Sequence, residues 1–314
     1  MPPSDLPAYK WKMAAPRFWP TWLLLASLRL LVLLPYAWLM RLGSGLGRLF
    51  FFVAPSRRRI AEINLELCFP ELDAAQRAAL LRANAASTGM GVIESLYACW
   101  GRQPPQTIEW QGEDILQAAL AQGRGVLLVG LHMTCLDIIG RLINKRYRMD
   151  YIEQERRDPL LRTAMTRARR RYFGAAIERK ATHHLRSCLR QGHIVWYAPD
   201  QDHGLTHGVF SNFFGVPAAT VTALARIAGL YNTPVVFIHY HRLERARGYG
   251  ITFESAAGFP TGDAQKDARR INDFLEHAIR LHPEQYLWVH RKFKTRPPGI
   301  PEHYQRTDGR RYGD

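Results

Sequence analysis

The chain is poor in cysteine, in acidic residues and in long apolar runs. Each shortage argues against particular classes of protein. Its 314 residues include four cysteines, at positions 68, 99, 135 and 188, with no C-x-x-C spacing. This scatter argues against a disulfide framework or a zinc site and is typical of reduced cytosolic thiols. The sequence contains no repeats and no low-complexity segments, and 47% of it is hydrophobic. We therefore expect a largely globular chain with one large core.

Acidic residues are outnumbered by basic ones. The 43 lysines and arginines against 27 aspartates and glutamates give a net charge of +16 and a pI near 10.1. Such a balance implies an anionic partner, which is nucleic acid, anionic lipid or a phosphorylated substrate. The most basic segment is a predicted helix over 159–172, which contains five arginines. No recognised nucleic-acid-binding motif accompanies this helix, so we favour a membrane surface over nucleic acid.

Only one apolar stretch, residues 19–40, reaches the length of about 20 residues that a membrane span needs. Arg29 near its middle and Pro35 weaken it as a span, and tryptophans and tyrosine flank it as interfacial anchors do. We predict that residues 1–41 form an N-terminal membrane anchor, either one span or a helix lying in the interface. A buried core helix is the alternative. The heavier positive charge that follows predicts a cytoplasmic domain over 42–314.

Strand-like and helix-like segments alternate through the remaining sequence. The predicted strands are 107–112, 126–130, 194–199, 234–240 and 250–254. This alternation predicts an α/β fold with a central mixed, largely parallel sheet flanked by helices.

One of these strands, 126–130, leads directly to a candidate catalytic pair. His132 follows it, and Asp137 lies five residues further on, at the start of a predicted helix. A histidine oriented by a carboxylate can take a proton from a hydroxyl group, and open α/β sheets place such chemistry at the carboxyl ends of their strands. Two other histidines have an acid at the same spacing, His239 and His303, but neither has this strand–turn–helix context. A helix-capping Asp137 beside an incidental histidine is the alternative.

A second strand, 194–199, is followed by Asp200, Asp202, His203 and His207. Their residue types would suit a metal ion, but a turn in which aspartate side chains accept backbone hydrogen bonds explains them better.

Four motifs together resemble one known family over nearly the whole chain. They are residues 64–71 (NLELCFPE), residues 130–132 with Asp137, residues 195–202 (VWYAPDQD) and residues 283–297 (PEQYLWVHRKFKTRP). In this order and near their expected separation, they resemble the lipid A late acyltransferases, the lauroyl and myristoyl transferases of the Gram-negative inner membrane. The resemblance implies a glycerolipid-acyltransferase-like fold at the cytoplasmic face of that membrane.

The resemblance also implies an activity and its partners. A fatty acyl group, which we expect to be lauroyl, would pass from acyl carrier protein to a 3-hydroxyacyl chain of the (Kdo)2-lipid IVA precursor. The implied partners are acyl-acyl carrier protein, the lipid A precursor and inner-membrane lipids, without nucleic acid. No cofactor and no metal ion is implied. The acidic carrier and the anionic membrane would account for the positive charge of the chain.

The resemblance assigns His132 as the general base and Asp137 as the carboxylate that orients it. The expected substrate-binding residues are Arg156, Arg157, Arg179, Asp200, Asp202 and Arg291. The sequence departs from the family where many members have Tyr-Arg-Pro, since residues 153–155 read Glu-Gln-Glu, and we expect a neighbouring arginine to supply the missing charge. Cys135 could act as an acyl-accepting nucleophile, although a buried thiol is the favoured interpretation.

Two other function classes stay open at this point. A glycerophosphate or lysophospholipid acyltransferase would use the same histidine and aspartate on a glycerol hydroxyl. A non-enzymatic protein that binds membrane surfaces or nucleic acid would have no use for His132, and the buried strand that precedes this residue argues against that class.

Overall fold

The computed structural model describes residues 8–101, 107–153, 158–169, 172, 174, 176–178, 182–305 and 312. The α-helices are α1 (Trp19–Leu31), α2 (Tyr36–Val53), α3 (Pro55–Cys68), α4 (Ala74–Trp100), α5 (Glu113–Leu120), α6 (Leu136–Asn144), α7 (Pro159–Arg169), α8 (Thr182–Arg190), α9 (Ala223–Tyr231) and α10 (Ala264–Leu281). The strands are β1 (Thr107–Gln111), β2 (Val126–Val129), β3 (Met149–Glu153), β4 (Ala176–Glu178), β5 (Ile194–Tyr197), β6 (Gly208–Phe213), β7 (Val216–Val221), β8 (Val235–Arg242) and β9 (Gly248–Ser255). Short 3-10 helices cover Trp11–Ala14, Pro16–Phe18, Glu244–Ala246 and Pro283–Gln285.

Seven strands form a single sheet in the order β1-β9-β8-β2-β5-β3-β4. Neighbours in this sheet run parallel, except for the antiparallel pair of β8 and β9. Strands β6 and β7 form a separate antiparallel hairpin. All four residues of β2 are buried, as expected of a central parallel strand that is covered on both faces. The predicted mixed, largely parallel sheet flanked by helices is therefore confirmed.

The chain leaves the two central strands in opposite directions. Strand β2 continues through α6 to β3, which lies beyond β5, whereas β5 continues through β6, β7 and α9 to β8, which lies beyond β2. Where successive connections diverge in this way, a crevice opens at the carboxyl ends of the strands. From this topology we expect the functional residues at the carboxyl ends of β2 and β5.

The N-terminal apolar stretch forms two helices rather than one. Helix α1 ends at Leu31, and α2 begins after Pro35, which is extended with φ −55° and ψ 137°. Within the described part of the chain, no helix is both long enough and apolar enough to cross a membrane. The prediction of one anchor helix over 19–40 is therefore corrected. The physical reason is Pro35, because proline lacks a backbone N–H and disfavours helical conformation in the residue before it.

Helix α2 packs against α4 through glycines. A Cβ atom built on Gly89 would overlap the carbonyl oxygen of Gly43, and one built on Gly47 would overlap that of Ala85. Only glycine therefore permits the two backbones to approach so closely. On the inner face of α2, Leu39 is fully buried and belongs to the main core. The domain boundary expected after residue 41 falls inside this packed helix.

Candidate active site

His132 lies in the turn that follows β2, at the carboxyl edge of the sheet. Its side chain is 26% exposed, and its ring meets the ring of Trp196 edge to face, with 5.7 Å between the centroids. The strand before it is buried, so the imidazole is attached to a fixed segment while part of its surface remains exposed. This is the position that the sequence predicts for His132.

Asp200 is the carboxylate that contacts this histidine. Strands β2 and β5 are parallel neighbours with Val129 opposite Tyr197, so His132 and Asp200 each lie three residues beyond the same register position. Oδ1 of Asp200 lies 2.7 Å from Nδ1 of His132, and its Oδ2 accepts the His132 backbone N–H at 2.9 Å. One buried carboxylate therefore holds both the ring and the main chain of the histidine.

The expected pairing of His132 with Asp137 stays a prediction, because the structure shows each of the two side chains hydrogen-bonded to another residue. Asp137 lies in the first turn of α6, and its Oδ1 accepts a hydrogen bond from Nη2 of Arg169 at 3.0 Å. The imidazole instead faces β5, because the strand register brings Asp200 to its Nδ1. The sequence analysis did not predict this pair, because 68 residues separate the two partners. A signal was present, since both His132 and Asp200 follow a short apolar strand.

The two groups shift each other's protonation. Burial alone would lower the pKa of His132, but the charge and hydrogen bond of Asp200, together with the charge of Asp137, raise that pKa above its ordinary value. Burial would raise the pKa of Asp200, yet His132 and, more weakly, Lys292 hold it well below its usual range. With an ionised carboxylate at Nδ1, the Nδ1–H tautomer is favoured, and Nε2 is the nitrogen that can take up a proton.

The carboxyl-terminal part of the chain supports the same turn. The Tyr286 hydroxyl donates to Oδ2 of Asp200 at 3.1 Å. The backbone N–H of Leu287 donates to the carbonyl oxygen of His132 at 3.0 Å, and that of Thr134 donates to the carbonyl oxygen of Gln285 at 2.7 Å. Residues 285–287 therefore hold the turn that contains His132 through hydrogen bonds on both sides of this residue.

Two buried asparagines hold the carboxyl-terminal segment in place. Nδ2 of Asn84 donates to the carbonyl oxygens of Glu284 and Tyr286, at 3.0 and 2.7 Å. Asn64, from the first family-like motif, donates in the same way to Trp288 and to His290, at 2.6 and 2.8 Å. Two of the four motifs thus meet through hydrogen bonds from the Asn64 side chain to main-chain carbonyl oxygens.

Asp202 is buried and bound within the protein. Its Oδ2 accepts the backbone N–H of Thr295 at 2.7 Å, and its Oδ1 accepts the Thr295 hydroxyl at 3.0 Å and the backbone N–H of Gly204 at 2.8 Å. The structure therefore brings Asp202 beside Asp200 but turns its carboxylate toward the carboxyl-terminal segment. A substrate contact from this side chain remains a prediction.

The basic residues predicted to bind substrate have different positions. Arg156, Arg157 and Arg179 lie outside the described residues. Arg291 donates from Nη1 to the carbonyl oxygen of Tyr312 at 3.1 Å. Its neighbour Lys292 is buried, and its ammonium lies 5.0 Å from the centre of the Phe213 ring.

Cys135 lies at the start of α6, fully buried. Burial, reinforced by the negative charge of Glu94, raises the pKa of its thiol to about 12. A thiol of this kind is a weak nucleophile, because the thiolate is the reactive form. The interpretation of Cys135 as a buried, unreactive thiol is consistent with this environment.

Comparison with known proteins shows what this chain is similar to. The model of the bacterial lipid A biosynthesis acyltransferase family matches residues 6–295. The lipid A biosynthesis lauroyltransferase of Escherichia coli K12 is 35% identical over 309 residues, covering 96% of this chain and all of the relative. The palmitoleoyltransferase of the same strain is 35% identical over 90% of this chain and 94% of its own length. The myristoyltransferase of the same strain is 29% identical over 96% of this chain and 95% of its own length. The predicted resemblance is confirmed.

Proposed function

Because the chain belongs to the bacterial lipid A biosynthesis acyltransferase family, we propose that it transfers a lauroyl group from acyl carrier protein to a 3-hydroxyacyl chain of the (Kdo)2-lipid IVA precursor. The observation that carries this proposal is the contact of His132 with Asp200, 2.7 Å long, at the carboxyl edge of the sheet. A histidine held by a buried carboxylate is suited to activate an alcohol, which is a poor nucleophile until it loses its proton.

In this mechanism Nε2 of His132 removes the proton from the acceptor hydroxyl as its oxygen attacks the thioester carbonyl. Asp200 stabilises the imidazolium that forms. The carbon–sulfur bond then breaks, and the imidazolium returns the proton to the departing thiolate, so His132 ends in its original state. General acid–base assistance of this kind contributes roughly 10²–10⁴-fold to a rate.

Two further features favour this chemistry. The first backbone N–H groups of α6 follow directly after the turn, and a helix N-terminus can stabilise the oxyanion of the tetrahedral intermediate. The ion pair of Asp137 with Arg169 lies at the same helix start. We assign Asp137 a supporting role, since its charge contributes to the raised pKa of His132 without a hydrogen bond to the ring.

The acyl chain length is the part of the proposal that needs direct measurement, because the relatives include lauroyl, palmitoleoyl and myristoyl enzymes. The purified chain should receive all three acyl-carrier donors in competition, and mass spectrometry should identify the product. Glycerol 3-phosphate and a lysophospholipid belong in the same assay as alternative acceptors. Preferred acylation of either would replace the proposed function by that of a glycerolipid acyltransferase.

We also propose that the N-terminal part of the chain docks on the cytoplasmic face of the inner membrane. Several of its large apolar side chains are exposed, namely Trp11, Trp19, Leu23, Leu30, Leu33, Trp38 and Phe52. Apolar patches of this kind, next to basic residues, are typical of membrane-interface binding. The +16 charge favours anionic lipid, and it would also attract an acidic acyl carrier.

Vesicle binding tests this docking. Replacing Leu23 and Leu30 by glutamine should weaken cosedimentation of the full chain with anionic phospholipid vesicles. The matched control is Leu230→Gln, because Leu230 is equally exposed, at 71%, but lies on α9, outside the N-terminal segment. If the two N-terminal substitutions and the control change binding equally, the proposed docking surface is wrong.

A further inference from the structure

A second cluster of chemically active side chains lies at the opposite edge of the sheet. Asp150 is in β3, Cys188 is in α8, and His193 directly precedes β5. Strands β3 and β5 are parallel neighbours with Met149 opposite Ile194, so Asp150 and His193 meet at the amino-terminal ends of these strands. Strand β5 therefore separates this cluster from Asp200, which follows its carboxyl end.

The three side chains are close together and shielded from solvent. Oδ2 of Asp150 lies 2.7 Å from Nδ1 of His193, and the ligand-type oxygen, nitrogen and sulfur atoms all lie within 4.8 Å of one another. Asp150 and Cys188 are buried, whereas the side chain of His193 keeps 14% of its surface exposed. Gly174 leaves room for the carboxylate, because a Cβ atom there would overlap Oδ1 of Asp150.

These residue types match the donors that zinc prefers. Zinc takes thiolate, imidazole and carboxylate ligands at about 2.0–2.3 Å in tetrahedral geometry, and small shifts of the three side chains would surround an ion. We propose that Asp150, Cys188 and His193 form a zinc site, with water from the His193 side as the fourth ligand. The site would join β3, α8 and β5 and is independent of the proposed acyl transfer.

The proton balance of binding is defined. The Cys188 thiol releases its proton to solvent, the proton on the His193 ring moves to Nε2, and the carboxylate exchanges its hydrogen bonds for the metal. Burial, with the hydrogen bond and charge of Asp150, raises the pKa of the Cys188 thiol to about 12, while Arg148 lowers it. A divalent cation removes this penalty by binding the thiolate directly, so affinity should increase with pH.

The test uses the full-length chain purified without a metal-affinity tag. We expect one zinc ion per chain by elemental analysis. After chelation and dialysis, titration with Co²⁺ should give a thiolate-to-cobalt charge-transfer band that saturates at one equivalent. Cys188→Ser should abolish this band. The matched control is Cys99→Ala, which removes another buried thiol, packed against Met165 and Ala168, and should leave the band intact.

A second variant guards against misfolding of Cys188→Ser. His193→Asn keeps an N–H that can donate to Asp150 but removes the imidazole ligand, so it should fold and lose at least about tenfold in metal affinity. Zinc should raise the Tm of the wild type and of Cys99→Ala more than that of His193→Asn. If the wild type shows no thiolate-to-cobalt band, or if His193→Asn binds metal as tightly as the wild type, the three side chains form a hydrogen-bonded cluster only.

Discussion

Replacing Asp200 by asparagine isolates the contribution of its second carboxylate oxygen. In the wild type one oxygen accepts the N–H of the His132 ring, and the other accepts the backbone N–H of His132 and the Tyr286 hydroxyl. Asparagine has one oxygen only. Since the backbone N–H cannot change its character, the amide oxygen should face it, and the NH2 group should then face Nδ1.

This exchange should place the histidine in the wrong tautomer. Nδ1 would have to accept a hydrogen bond, so the ring proton would move to Nε2, the nitrogen that should receive the proton of the acceptor hydroxyl. We therefore expect kcat/KM to fall by roughly 10²–10⁴-fold, the full contribution of general-base catalysis. This loss corresponds to about 3–5 kcal/mol of transition-state stabilisation at 1.36 kcal/mol for each factor of ten.

The assay measures initial rates of acyl transfer at saturating donor and varied acceptor, which gives kcat/KM for the acceptor, with Tm as the control for folding. Asp137→Asn is the matched comparison, because Asp137 also carries a charge that raises the pKa of His132 but pairs with Arg169. We expect it to cost much less than Asp200→Asn. If Asp137→Asn is the more damaging of the two while both variants stay folded, the assignment of Asp200 as the orienting carboxylate is refuted.

Three further results are expected. The wild-type kcat/KM should rise with pH through a pKa above the ordinary histidine value of about 6.5. The reason is that His132 must be unprotonated to act as the base, whereas Asp200 favours the protonated imidazole. A pH–rate profile that rises through a pKa below about 6.5 would contradict this prediction. Cys135→Ala should keep most activity, because the thiol is buried and un-ionised; an acyl thioester trapped on Cys135 would show that a covalent intermediate exists. Gly89→Ala should lower the free energy of unfolding by about 1–3 kcal/mol, since its Cβ would overlap the backbone of α2, whereas Gly45→Ala, with open space around it, should not; denaturant titration compares the two.

Much of the fold was predictable because it follows from local patterns. The alternation of strand-like and helix-like segments along the chain is sufficient to predict a largely parallel sheet. The apolar run of β2 is sufficient to place His132 at the carboxyl edge of that sheet. The N-terminal stretch was predicted less well. Its apolar composition suggested one anchor helix, but Pro35 divides the stretch. The glycines of α2 allow that helix to pack closely on α4.

The sequence by itself determined which residues lie at the carboxyl edge of the sheet, because neighbouring residues determine where a strand ends and a turn begins. Only the tertiary structure decided which carboxylate meets the imidazole. Strand register brings Asp200 to His132, and Tyr286 arrives from a distant segment held by buried asparagines. The same holds for Asp150 and His193 at the other edge. Such contacts depend on the relative positions of elements that are far apart in the chain, which hydrophobic periodicity does not specify.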